Sequence, residues 1–206
     1  MDIDMIRARL AADPTRAPAE AIAALANSDD AADLRQTAAV PAAVLVLIVH
    51  GEEPGILLTK RTSTLAKHAG QVAFPGGRID RDDPSAEAAA LREAHEEVGL
   101  PPDQPEVLGR LPDYLTGTGF RISPVLALLP RPVVLTPSPD EVEAIFTLPL
   151  HVLLDPAAPQ RRRAEFRGRM REFWVWPHQH HYIWGATAAI LVDLAARLRA
   201  QERAAA

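Results

Sequence analysis

The sequence predicts an α/β fold, a mixed β-sheet held between helices. Three observations carry that expectation. Short apolar runs of strand length outnumber helical patterns. Several of those runs are separated by turn residues only, which pairs neighbouring strands. Two longer segments carry the apolar spacing and end signals of helices.

The elements follow in chain order. Residues 1–37 are Ala-rich and predict an N-terminal helical extension, broken around Pro14 and Pro18, with a polar linker from Asn27 to Asp33. The main domain is expected to span residues 38–206. Val40 to His50 reads as a buried strand, and Gly51 to Gly55 as a turn into a second strand, Ile56 to Arg61. Thr62 to Gly70 is a loop, Gln71 to Phe74 a short strand, and Gly76-Gly77 a tight turn. A helix starts at about Ser85, after Pro84, and stops near Gly99. Strands are expected at about 106–112 and 121–129. The segment 130–141 holds Pro130, Pro132, Pro137 and Pro139 and must be a loop. Val142 to Thr147 is strand-like, and Pro149 to Leu154 a short helix. Arg161 to Arg167 and Arg169 to Trp176 form a hairpin around Gly168. The last helix runs from Trp184 to Glu202, with Ile190, Leu191, Leu194 and Leu198 on one face.

Composition excludes several classes. A chain of 206 residues is long enough to bury a core. The longest apolar run, Ala38 to Val49, is too short to span a bilayer. The start, Met1-Asp2-Ile3-Asp4, lacks the basic residues of a signal peptide, so a cytoplasmic location is expected. With no Cys there is no disulfide framework and no thiol nucleophile. A net charge of −5 argues against nonspecific nucleic-acid binding. A polyanionic ligand must then be held by a local cluster of cations.

The segment Leu91-Arg92-Glu93-Ala94-His95-Glu96-Glu97-Val98-Gly99-Leu100 is the densest in chemistry. Glu93, Glu96 and Glu97 stand at i, i+3 and i+4 of the expected helix, on one side of it. Leu91, Ala94 and Val98 form a neighbouring packing face. Like charges so close repel one another. Either they form a solvated acidic face, or a hard divalent cation with oxygen ligands, Mg²⁺ or Mn²⁺, sits between them. Phe74-Pro75-Gly76-Gly77 and the acidic loop Asp80 to Asp83 lie just upstream.

Glycine turn, acidic loop and carboxylate helix in this order resemble the Nudix box, the signature of hydrolases that cleave a diphosphate linked to another moiety. Arg92 to Leu100 match its second half, with Ala94 a small stand-in for a bulky aliphatic. The first half departs: counting back from Arg92, the early Glu falls on Pro84 and the early Gly on Arg78. The loop carries at least one extra residue, with Asp83 or a neighbour in place of the missing Glu.

A second likeness extends from Leu57-Leu58-Thr59-Lys60-Arg61 through Lys67-His68-Ala69-Gly70-Gln71-Val72-Ala73-Phe74-Pro75-Gly76-Gly77. It resembles the extra motif of the coenzyme A pyrophosphatase branch of that family. Gly119 to Val125, Asp140-Glu141-Val142 and Tyr182 to Ala188 are similar to the same branch. Ala66 stands where the branch often has Arg.

The resemblance implies a Nudix α/β/α sandwich and a Mg²⁺- or Mn²⁺-dependent diphosphatase of coenzyme A. Glu93, Glu96 and Glu97, with the Gly77 carbonyl, are then the expected metal ligands. Glu97 and either Glu93 or the distal Glu141 are the expected catalytic groups; which of the latter two takes the proton of water stays open. Arg92 is expected to pair with Asp83 and order the acidic loop. Arg61, Lys67, His68 and Gln71 are the expected substrate contacts. Coenzyme A bears a 3′-phosphate besides its diphosphate, which suits extra basic groups. The triplet Arg161-Arg162-Arg163 reads as a surface patch and Glu143 as structural. His178, His180 and His181 lack the spacing and soft partners of a zinc site. Phe173, Trp174, Trp176 and Trp184 are expected in the core rather than as a base-stacking platform. A homodimer is compatible with the family. Two other readings stand beside this one: a hydrolase of ADP-ribose or a dinucleoside polyphosphate, and a binding module without catalysis.

Overall fold

The computed structural model describes residues 3–11, 39–64, 69–166, 168–177 and 181–204. The expected helices and linker between Pro14 and Asp33 lie outside these residues, as do Ala66, Lys67, His68, His178 and His180.

Helix α1 (Ile3–Ala11) precedes strands β1 (Val40–Val49), β2 (Gly55–Arg61), β3 (Val72–Ala73) and β4 (Gly76–Arg78). Helix α2 (Ala86–Val98) follows. Then come β5 (Glu106–Arg110), β6 (Tyr114–Leu115), β7 (Phe120–Leu129), β8 (Val142–Pro149) and α3 (Leu150–Leu154). The chain ends in β9 (Gln160–Phe166), β10 (Arg169–Pro177), β11 (Tyr182–Trp184) and α4 (Gly185–Ala204).

The main sheet is mixed. Its order is β3-β2-β1-β7-β5, with β4 on β1, β6 on β7 and β8 on β2. The parallel pair β1–β7 runs in register from Val40 opposite Phe120 to Val49 opposite Leu129. The remaining pairs are antiparallel. The hairpin around Gly168 forms as expected, and β9, β10 and β11 make a second, antiparallel sheet.

Alternation along β1 divides the interior in two, because successive side chains point to opposite faces. Ala43, Leu45 and Leu47 join α2, while Val46 and Ile48 join α4. The α4 side also takes Ile6 and Leu10 of α1, Leu153 of α3 and Trp176 of β10. The described part of the N-terminal extension is therefore packed into the core. Burial on α4 is wider than the one face expected: every residue from Ala188 to Leu198 is buried, including the pair Asp193–Arg197 at 3.0 Å. Burial holds the Asp193 carboxyl above its usual range, against the pull of Arg197. No helix among the described residues is long and apolar enough to cross a membrane.

Three expectations need correction. Gly76-Gly77 is not a simple turn but part of strand β4, paired with Val44 and Ala43 of β1. Strand β6, two residues long, is too short to show as a pattern in sequence. Of the four aromatic residues expected in the core, only Trp176 is fully buried; Trp184 is 39% exposed.

Candidate functional site

Helix α2 is fixed at both ends. Ser85 stands in extended backbone, and its hydroxyl accepts the Ala88 N–H at 3.2 Å, the N-cap expected after Pro84. Gly99 closes the helix in the left-handed region, φ 68°, and returns its N–H to the Ala94 and His95 carbonyls. The Pro-rich segment completes this end. Thr136 donates to the Val98 carbonyl at 2.9 Å, and Ser138, between two prolines, donates to the Glu97 carbonyl at 2.8 Å. Two carbonyls that a helix end leaves unpaired are thereby satisfied.

The inner face of α2 is built from Ala86, Ala89, Ala90, Ala94 and Val98. Such small residues let the helix backbone come close to the sheet. The strand it meets is glycine for the same reason. A Cβ on Gly77 would lie 2.5 Å from the carboxylate of Glu93, and one on Gly76 would lie 2.4 Å from the Ala43 carbonyl oxygen. Gly76 also has φ +151°, which a side chain resists.

The three glutamates are not equivalent, contrary to the single acidic face expected. The Glu96 side chain is 57% exposed, that of Glu93 18%, and that of Glu97 3%. Glu97 lies one turn beyond Glu93 and beside Val98, at the edge of the alanine stripe, so helix rotation turns it inward. Its Oε2 accepts the Gly76 N–H at 3.2 Å, and its Oε1 meets Arg61 Nη1 at 3.1 Å. Burial pushes the Glu97 carboxyl up to about 7 despite these two partners, and the nearby charges of Glu141 and Glu93 push the same way. Burial also raises Glu93, against the pull of Arg92.

Arg92 behaves as the sequence predicts. Its guanidinium takes both oxygens of Asp83 at 3.0 Å, and also the Arg78 carbonyl at 3.2 Å. It further reaches Glu93 at 3.1 Å and Glu96 at 3.0 Å. Asp83 in turn accepts the Asp80 N–H at 2.8 Å, which closes the acidic loop. Hydrogen bonds from Arg92 hold the Asp83 carboxyl below its usual range. Asp83 is thus the acidic-loop carboxylate that Arg92 holds.

Arg61, expected as a phosphate contact, stands among the carboxylates of the site. It bridges Glu97 and Glu141, the latter at 3.6 Å. Alternation along β2 explains this: Leu57 packs on the α2 side and Leu58 on the other, so Arg61 shares the side of Leu57. That signal was available in the sequence. The contact with Glu97, 36 positions away, was not. Glu141 is pinned by its backbone, since Thr62 donates to its carbonyl at 3.0 Å. The Gln71 carbonyl accepts the Arg61 N–H at 2.9 Å, and the residue lines a cavity beside β3. Glu143 pairs with Lys60 at 2.6 Å.

The site thus gathers Glu93, Glu97, Glu141, Arg61, Arg92 and the Gly76-Gly77 backbone. As the side chains stand, no three acidic or histidine groups among the described residues converge on one point at ligand distance. The glutamates turn to Arg61 and Arg92 instead. The donor set is nonetheless all hard oxygen, several carboxylates repel one another within it, and the missing side chain of Gly77 lets the Glu93 carboxylate lie against the β4 backbone. Those properties fit a hard divalent cation.

Fold and site together define a class: an α/β/α sandwich whose acidic helix faces a glycine strand, a chemistry suited to phosphoanhydride hydrolysis. Residues 39–188 match the family model of the NUDIX domain. The Nudix hydrolase NudL of Cronobacter sakazakii, itself described as uncharacterized, is 46% identical over 157 residues, which cover 76% of this chain and 82% of that one. NudL of Klebsiella pneumoniae is 45% identical over 160 residues, covering 78% and 83%. A solved Nudix hydrolase from Alicyclobacillus acidocaldarius is 20% identical, covers 83% of this chain and 97% of that one, and has a TM-score of 0.47. The chain belongs to the Nudix family. It is a Nudix hydrolase of a nucleoside diphosphate derivative, and such hydrolases generally use divalent metal ions.

Proposed function

We propose that this protein hydrolyses the diphosphate of coenzyme A or its derivatives, releasing 3′,5′-ADP and 4′-phosphopantetheine, with Mg²⁺ or Mn²⁺. The observation that carries the reading is the coherence of the segment Leu57–Gly77 with the box. Its Arg61 grips Glu97 and Glu141, and its Gly76 donates to Glu97. The extra motif resembling the coenzyme A branch is therefore built into the acidic site rather than appended to it.

Glu93, Glu96, Glu97 and the Gly77 carbonyl would hold the metal. When bound, such an ion neutralises diphosphate charge and makes a nearby water more acidic. The chain's own groups do the rest. Arg92 and Asp83 fix the loop that leads into α2. The alanine face seats the helix, and the strap at Thr136 and Ser138 fixes its last turn. Arg61 offsets part of the charge of the buried Glu97 and of the exposed Glu141. Glu93 and Glu141 are the two candidates to accept the proton of the attacking water; Glu93 is the more buried.

The test is a substrate panel with Mg²⁺ or Mn²⁺: coenzyme A, ADP-ribose, a dinucleoside polyphosphate and a nucleoside diphosphate sugar, with products separated by chromatography. Release of 3′,5′-ADP from coenzyme A well above the other reactions is the expected result. Preference for another member of the panel would overturn the substrate and keep the Nudix chemistry. Turnover of none would favour the binding module.

A further inference from the structure

Two guanidinium groups stand among the carboxylates of the site, and they are held in different ways. Arg92 is anchored by many partners: Asp83 through two bonds, the Arg78 carbonyl, Glu93 and Glu96. Among the described residues, the Arg61 guanidinium meets only Glu97, at 3.1 Å, and Glu141, at 3.6 Å. Its side chain is 24% exposed, so solvent and solutes reach it. Both of its partners belong to the chemistry: Glu97 is assigned to the metal, and Glu141 is a candidate to take the proton of water.

Strand register builds this contact. Lys60 faces Ala144, so a regular ladder would set Arg61 opposite Glu143. The register shifts there instead, and Arg61 faces Val142. Such irregularities re-aim side chains, often beside active sites. Glu141 is thereby drawn alongside, its carbonyl accepting the Thr62 N–H at 3.0 Å, while Lys60 pairs with Glu143 at 2.6 Å. The two partners of Arg61 are also tied to each other through backbone. Ser138 donates to the Glu97 carbonyl at 2.8 Å, and the Ser138 carbonyl accepts the Glu141 N–H at 3.1 Å. Gly76 holds Oε2 of Glu97 as well. Glu97 and Glu141 therefore stay close without the help of Arg61. The guanidinium can leave them and the frame of the site remains.

A divalent cation at the same carboxylates repels the guanidinium beside them. The guanidinium is weakly hydrated, and its planar fork fits phosphate as well as carboxylate. We propose that Arg61 is a displaceable counter-cation: without divalent metal it pairs with Glu97 and Glu141, and once metal takes these carboxylates it turns to the diphosphate of the substrate. Arg61 is thus a positioning residue toward the metal and a contact toward the substrate, in that order. Metal loading and substrate binding are coupled through one side chain. The proposal rests on the reading of the site as metal-dependent and on no particular substrate.

The test is isothermal titration of Mn²⁺ into the metal-stripped full chain, for wild type, Arg61→Gln and Arg61→Lys. A thermal melt checks that each variant folds. KM is then measured at saturating Mn²⁺ with the best substrate of the panel. Arg61→Gln is expected to bind Mn²⁺ about tenfold or more tightly than wild type, because a competing charge is gone. At saturating Mn²⁺ its KM is expected to rise about tenfold or more, because a charged contact to phosphate is gone. The opposite signs are the signature: loss of a merely structural residue weakens both. Arg61→Lys keeps the charge without the fork, and should show the same two signs at smaller size. It carries the test if Arg61→Gln fails to fold. Mn²⁺ affinity unchanged or weakened in folded variants overturns the proposal and leaves the metal reading intact. Tighter Mn²⁺ binding with KM unchanged overturns the transfer of Arg61 to phosphate. A wild type that binds no Mn²⁺ overturns the metal reading, and the proposal with it.

Discussion

The two long helices that cover the central sheet meet it by different means. The α4 face is filled with large side chains, among them Ile48, Ile56, Leu58, Leu126, Leu128, Trp176, Leu194 and Leu198. On the α2 face the sheet again supplies large side chains, Leu45, Leu47, Leu57 and Leu129, but the helix meets them with small ones, Ala86, Ala89, Ala90 and Ala94, beside the glycines of β4, Gly76 and Gly77. Large residues fill space and supply stability. Small residues bring two backbones together and so set Glu93 and Glu97 against β4. Each face also buries an acid above its usual range. Asp193 has its partner one turn away on the same helix, whereas Glu97 depends on a strand and a glycine elsewhere in the chain. One face therefore serves folding, and the other accepts instability in exchange for a poised carboxylate.

The comparison can be broken first on the large side. Leu194→Ala removes a fully buried side chain from the α4 cluster and should cost about 2–5 kcal/mol in chemical denaturation. Activity per folded molecule should not change; a matching loss of kcat would show that the α4 face is not merely structural.

The second effect is linkage at Glu97. Its folded pKa, about 7, stands above the ordinary 4.5. The folded state thus binds the proton more tightly, and stability from this group is full below pH 4.5 and falls as pH rises through 7. The difference is about 3 kcal/mol at most. Glu93, also raised, has the same sign. Asp83, held low by Arg92, is ionised in both states over this range and acts only at more acid pH. With chelator present, the denaturant midpoint should therefore drop between pH 5 and pH 8. A flat profile would contradict the burial assigned to Glu97.

Overpacking the small side comes next. Ala94→Leu should cost about 1–3 kcal/mol and also lower activity, because it lifts α2 from β4. Stability lost with kcat/KM intact would separate helix seating from chemistry. The smallest effect is expected at the cap: Ser85→Ala should cost about 1 kcal/mol and leave kcat near wild type, as read from melts and initial rates.

Much of this was legible in the sequence, for local reasons. The limits of α2 were written in Ser85 and Gly99, and the Arg92–Asp83 pair in the box itself. The long strands β1, β2, β7 and β8 announce themselves by apolar runs bounded by turn residues. Strands β4 and β6 did not, since two or three residues give no period and glycine suggests a turn. The inward turn of Glu97 was missed because spacing places a residue on a face without saying how wide the buried stripe is. The Arg61–Glu97 contact is a product of tertiary packing. So is the role of the Pro-rich loop, which looked like a spacer but supplies backbone donors to the end of α2.

Glu97→Gln tests the central claim most directly, with turnover and stability measured on the same sample. The site described here predicts that turnover falls by about 10²–10⁴-fold. It also predicts that the chelated protein at pH 8 becomes more stable, by up to about 3 kcal/mol, because a buried charge is gone. Turnover kept, or stability lost together with turnover, would contradict the account of Glu97 as a strained carboxylate retained for its chemistry.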